Sequence, residues 1–247
     1  MLRILERPRP CSYLPKERAS LEVIFDGQLT PESYGELLRR GYRRFGWQIF
    51  RPACPQCQAC ISLRIPVSKY RLSASDRRIM RKNQHIRCEL AASMATTQHV
   101  DLYNRYQAFM HIERSWAPQR HSISTYREAF VSGPEQIGFE WRYFEGDRLV
   151  GVSLMDQVPG AISLAYFFYD PAWRPHSPGR FSILNQILFA QAQGKAHAYL
   201  GYWVEECISL SYKSRFQPHE ALQRYVSEAE EPVWQERREA SSAKMLL

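Results

Sequence analysis

Residues 138–203 restrict the fold more than any other stretch of this chain. Across residues 139–144 aromatic and charged side chains alternate, the period of two that sets one face of a strand against a core. Glu145, Gly146 and Asp147 then make a tight turn. Residues 149–155 and 161–169 are apolar runs rich in β-branched and aromatic side chains. They are split by Val158, Pro159 and Gly160, where proline presets φ and glycine accepts a positive one. Three strands therefore form a meander. After Asp170 and Pro171 comes a loop dense in proline and glycine. Phe181, Leu184, Ile187, Leu188 and Gln191 then recur at helical spacing up to a stop at Gly194, and residues 196–203 resume as a strand. The expected fold class is α+β, a mixed, mainly antiparallel sheet with flanking helices. A meander of this order carries no chemistry by itself.

Upstream, residues 19–25 read as a strand. Thr30 is placed to cap a helix that has Pro31 at its first position and ends near Gly41. Residues 42–45 and 47–50 are strand-like, and residues 61–67 alternate as another strand. Between them Cys54, Cys57 and Cys60 stand at intervals of three, with Cys11 distant but able to return as a fourth thiol. That donor set suits zinc or an iron–sulfur cluster. Cys88 and Cys207 stand apart and read as buried structural thiols. Ser73 caps a helix on which Arg77 and Arg81, and Arg78 and Lys82, are four residues apart, so that these cations share one side. Together with Arg71 they form a stretch able to track a phosphate backbone. Residues 100–111 read as a helix, and a shorter one starts at Ser124 or Thr125.

A chain of 247 residues can bury a sizeable core, and its formal charge of +8 favours a polyanionic partner, nucleic acid before membrane. No apolar run reaches the roughly 18 residues of a membrane span, and the first residues are too charged for a secretory signal, so a soluble, cytoplasmic protein is expected. The charged stretch 229–247 is expected to fray.

Several motifs carry a resemblance. They are Cys11-x-Tyr13-Leu14-Pro15; Tyr42-Arg43-Arg44-Phe45-Gly46; Arg51-Pro52-x-Cys54-x-x-Cys57-x-Ala59-Cys60; the run from Tyr199 through Tyr202 and Trp203; and Tyr212-Lys213-x-x-Phe216-x-Pro218-x-Glu220. In these the chain resembles the aminoacyl-tRNA–protein transferases of the arginyltransferase superfamily, and most of all the bacterial aspartate/glutamate leucyltransferases, from residue 11 to about residue 225. The resemblance implies a GNAT-like acyltransferase core, here 96–247, joined to a cysteine-bearing region, 1–95. It further implies transfer of an amino acid, leucine first, from its tRNA ester to the α-amine of a protein beginning with Asp or Glu, the tagging step of an N-degron pathway. Cys207-Ile-Ser-Leu210 and Ser177-Pro-Gly-Arg-Phe181 depart from the family pattern beside the expected site, which leaves open a peptide or small-molecule acceptor.

An aminoacyl ester is already activated, and the attacking α-amine has a pKa of about 8, so holding the two together supplies most of the rate. No cofactor is needed for that chemistry. Lys213 is the first choice to meet an acidic acceptor, helped by Arg215 or by Arg43 and Arg44, because a buried carboxylate must be paired. Tyr212 can donate to the carbonyl oxygen. Asp156 and Glu206 are candidates to take a proton or bind an ammonium, and Tyr199, Tyr202 and Trp203 to stack on the terminal adenosine. A rival acyl-CoA-dependent N-acyltransferase needs successive backbone N–H groups at a glycine-rich turn. Here residues 174–180 hold one glycine and two prolines, Pro175 and Pro178. A third reading is an RNA-binding protein without activity.

Overall fold

The computed structural model describes residues 1–237. The chain starts with β1 (Leu2–Leu5), a two-stranded ribbon of β2 (Arg9–Pro10) and β3 (Arg18–Ala19), then β4 (Leu21–Phe25), helix α1 (Pro31–Arg39), β5 (Arg43–Phe45) and β6 (Gln48–Pro52). These strands form a small antiparallel sheet in the order β1-β4-β6-β5. Helix α1 starts where the sequence places it: Thr30 and Ser33 close a capping box, Pro31 takes the first turn, and Tyr34, Leu37 and Leu38 are buried.

The remaining elements are β7 (Ile61–Pro66), α2 (Ala74–Lys82), β8 (Ile86–Ala92), α3 (Thr97–Arg114), the short α4 (Ile123–Tyr126), β9 (Gly138–Glu145), β10 (Arg148–Val158), β11 (Ala161–Tyr169), α5 (Pro178–Ala192), β12 (His197–Trp203), α6 (Ile208–Ser211), β13 (His219–Leu222) and β14 (Trp234–Arg237). A second sheet runs β14-β13-β7-β12-β11-β10-β9-β8. The expected meander is β9-β10-β11, followed by α5 and then β12. All pairs in this sheet are antiparallel except β11 with β12, as a strand–helix–strand crossover requires. β7 and β8, from before residue 95, pair into the same sheet as the strands after it.

Two corrections concern strands. β8 carries Cys88 and a charged, alternating pattern whose exposed face hid it, and β14 orders part of the stretch expected to fray by pairing with β13. The rest of that expectation, residues 238–247, lies outside the described residues.

Different helices cover the two faces of the large sheet. On one face Ile79 of α2 and Phe181, Leu184 and Ile187 of α5 pack with Val150, Ile162, Leu164 and Leu200. On the other, α1 packs on Val158, Ala161 and Tyr199, and α3 packs through Leu102, Tyr103 and Tyr106 on Val152, Leu154 and Phe168. Alternate residues of each strand serve the two cores, which is why β10 and β11 read as nearly continuous apolar runs.

Candidate active site

The site lies where two parallel strands part. β11 and β12 pair only at Ala161–His197, Ile162–Ala198 and Ser163–Tyr199, although β11 continues to Tyr169 and β12 to Trp203. Irregularities on both strands mark the divergence. The register of β11 against β10 skips Ala165, and that of β12 against β7 skips Leu200. A bulge adds a residue on one strand and turns it away from its partner.

Cations occupy the gap. The Arg43 guanidinium, brought in by β5 from the small sheet, donates to the Leu164 carbonyl of β11. Lys213, in the 3₁₀ turn after α6, donates Nζ to the Tyr202 carbonyl of β12 at 3.0 Å. Gly201 separates them: its φ is +83°, and a Cβ there would lie 3.4 Å from Arg43 Nη2 and 3.4 Å from Lys213 Nζ. A glycine inside a strand marks such a close approach, and only glycine takes that φ without strain.

The pair is unbalanced. Arg43 is 7% exposed, and among the described residues its Nη1 meets no hydrogen-bond partner. Among the described residues it has no carboxylate, whereas Arg44 has Asp156 and Arg51 has Glu22. Burial, reinforced by the Arg43 charge, pushes the Lys213 amine down to about 7. A buried guanidinium beside a lysine disfavoured as a cation is a setting that a carboxylate would stabilise.

Tyrosines line the outer end of the gap. Tyr106 of α3, Tyr169 of β11 and Tyr212 lie near one another, and burial followed by the proximity of Tyr169 pushes the Tyr212 phenol up to about 12. Tyr212 is thus a hydrogen-bond donor at neutral pH. Tyr166 accepts a bond from Gln107 of α3 at 2.8 Å.

Several expected site residues have other tasks. Asp156 is 2% exposed, and its oxygens are taken by Arg44 at 2.5 Å and by the Tyr34 hydroxyl at 2.9 Å. The space beside it, about 10 Å³, admits no more than one water, so Asp156 is the counter-ion of Arg44 rather than a base facing substrate. Arg44 also donates to the Gly46 carbonyl at 2.6 Å, which fixes β5 and with it Arg43. Tyr199 is buried against Trp234 and accepts from Arg64 at 3.3 Å. Tyr202 is buried and donates to the carbonyls of Gly41 and Phe50. Neither offers a face to an adenine. Trp203 is half-buried and donates Nε1 to the Ser211 carbonyl, pinning the segment that bears Lys213. Glu206 and Arg215 are exposed. Arg71, Arg77, Arg78, Arg81 and Lys82 are exposed too, and among the described residues none forms an ion pair.

The thiols gather without closing on one point. Burial first, then Cys54, Cys11, Cys57 and Cys207, push the Cys60 thiol up to about 12. Cys11 Sγ accepts two backbone N–H groups, from Tyr13 and Leu14, at 3.4 Å each. Among the described residues, however, no three Cys, His, Asp or Glu side chains stand close enough to hold one metal ion. As they stand among the described residues, the thiols do not fit zinc or a cluster. Cys207, read from sequence as solitary, belongs to this group and lies near Lys213.

The site is thus a gap between diverging parallel strands that holds two buried cations on a mixed α+β scaffold. The chain belongs to the arginine-tRNA-protein transferase family: residues 9–78 match the family's N-terminal part and residues 98–223 its C-terminal part. It is 34% identical to an aspartate/glutamate leucyltransferase of Helicobacter hepaticus, over 91% of this chain and 93% of that one. It is 38% identical to that of Campylobacter jejuni, over 86% and 89%, and 36% identical to that of Saccharophagus degradans, over 86% and 90%. Among solved structures, that of L-PGS from Bacillus licheniformis overlaps 66% of this chain and 47% of its own with a TM-score of 0.44 at 10% identity.

No helix among the described residues is long and apolar enough to cross a membrane.

Proposed function

We propose that this transferase moves leucine from leucyl-tRNA to the α-amine of proteins whose first residue is Asp or Glu, and that it does so in a GNAT-like gap between β11 and β12. The observation that carries this reading is the unmatched Arg43–Lys213 pair. An acidic side chain completes it: the guanidinium gives a charge-assisted bond, and Lys213 regains its proton as the carboxylate arrives. The same two cations disfavour an ammonium nearby, so the acceptor's amine, with a pKa of about 8 in water, is held neutral.

The amine nitrogen then attacks the ester carbonyl carbon, the bond from that carbon to the ribose oxygen breaks, and the proton lost by nitrogen ends on the ribose hydroxyl. Tyr212 is suited to donate to the developing oxyanion. The exposed cations of α2 suit the tRNA backbone. Pro178 at the first position of α5 removes one of the N–H donors that a CoA pyrophosphate would use, which argues against acyl-CoA as donor.

The test is turnover of charged tRNAs against peptides that differ only in their first residue. The expected product is leucyl-peptide from leucyl-tRNA with Asp or Glu first. Transfer to no α-amine from any charged tRNA by folded protein would remove the proposal.

A further inference from the structure

A groove of about 600 Å³ runs along the outer side of α3, between that helix and residues 118–120. Its wall is built rather than loose. The Asn104 amide donates to the His121 carbonyl and its oxygen accepts from the His121 N–H, both at 2.9 Å, while His111 and Tyr103 bond to the Trp116 carbonyl and the Gln119 side chain. Ser115, in the left-handed region at φ 53°, turns the chain back to make that wall.

Two neighbouring residues of α3 link the groove to the strand that borders the gap. Gln107 lines the groove and donates to Tyr166, two residues beyond the Leu164 carbonyl that Arg43 holds. Tyr106, next to Gln107, lies near Tyr169 and Tyr212 at the outer end of the gap and packs edge-on against Trp116.

We infer that this groove receives the acceptor polypeptide beyond its first residue, in extended form, once that residue has entered the gap. The inference rests on the proposed transfer to protein α-amines and adds where the rest of the acceptor lies. Two observations choose polypeptide over RNA. The lining mixes Asp101 with Arg105 and Arg120 and adds the amides Asn104, Gln107 and Gln119, a set suited to peptide groups and poor for a polyanion. The exposed cations of α2 lie over the opposite face of the sheet from α3. Donor RNA and acceptor chain thus approach the gap from opposite sides.

The experiment uses Ala108→Trp and Ile112→Trp. Both positions line the groove with exposed side chains, so bulk there fills it without entering the core. Transfer is measured to a dipeptide with Glu first and to a ten-residue peptide with the same start, with leucyl-tRNA as donor. A108W should raise KM for the long acceptor at least tenfold and that for the dipeptide less than twofold, with KM for leucyl-tRNA unchanged. Thermal midpoints within a few degrees of the parent's establish folding, and I112W repeats the comparison should A108W not fold. Equal effects on both acceptors, no effect on either, or a raised KM for leucyl-tRNA alone, as RNA in the groove would give, each overturns the inference. Absence of transfer by the parent protein would instead remove the reading on which it rests.

Discussion

Replacing Lys213 by methionine is expected to make the protein more stable and less useful. Lys213 ionises at about 7 in the fold against 10.5 in the open chain. Each pH unit of that difference is worth about 1.4 kcal/mol, so burying the amine costs at most about 4 kcal/mol at neutral pH. Relaxation of the site and water penetration around the charge lower that cost to about 2 kcal/mol. Methionine keeps the apolar stem and removes the charge, while the lost bond to the Tyr202 carbonyl gives back about 1 kcal/mol. The net gain at pH 7 is about 1 kcal/mol, a rise in Tm of about 2–4 °C for a chain of this length.

The sign changes with pH. Between about pH 7 and 10.5 the unfolded lysine holds a proton that the folded one has released, so stability of the parent rises with pH through that window. Lys213→Met lacks that slope, so its advantage shrinks as pH rises and reverses above about pH 9. Urea denaturation at pH 7, 8, 9 and 10 reads this directly. A variant less stable at pH 7, with a difference that stays flat to pH 10, would show that Lys213 is an ordinary satisfied cation and that the gap does not disfavour its charge.

Asp156→Asn leaves Arg44 buried without its charge partner and should cost about 3–5 kcal/mol by chemical denaturation; a loss below about 1 kcal/mol would mean that the pair does not hold β5 in place. Reversing Arg77, Arg78, Arg81 and Lys82 to glutamate should weaken tRNA binding and lower the slope of log K against log salt by about 3, and an unchanged slope would clear α2 of contact with the phosphate backbone. Gly201→Ala should lower transfer at least tenfold, because the added methyl meets both Arg43 and Lys213 at a φ that alanine resists; near-parental activity would mean that those side chains have room to move.

The meander, α1 with its cap, α2 and the α5–β12 crossover were legible because each rests on local rules: alternation, capping residues, proline and glycine punctuation. The candidate site is only partly legible. Arg43, Lys213 and Tyr212 stand in motifs that mark them as candidates, and Gly201 inside a strand is a readable sign of a close approach. Asp156 and Tyr202 misled because type and position suggest reactivity, whereas their partners, Arg44, Tyr34, Gly41 and Phe50, lie more than 100 residues away. Tyr166 was hidden because the bulge at Ala165 resets which face each later residue of β11 serves. Cys207 joins the other thiols only through the fold.

The most direct measurement is the ratio of kcat/KM for two peptides that begin with Glu and Gln and are otherwise identical, in the parent and in Arg43→Gln. If the gap exists to receive a carboxylate, the parent prefers Glu by about a hundredfold, since a buried charge-assisted bond is worth about 3 kcal/mol, and Arg43→Gln erases most of that preference with KM for leucyl-tRNA unchanged. A parent indifferent to Glu and Gln, or a preference that survives in Arg43→Gln, contradicts the account.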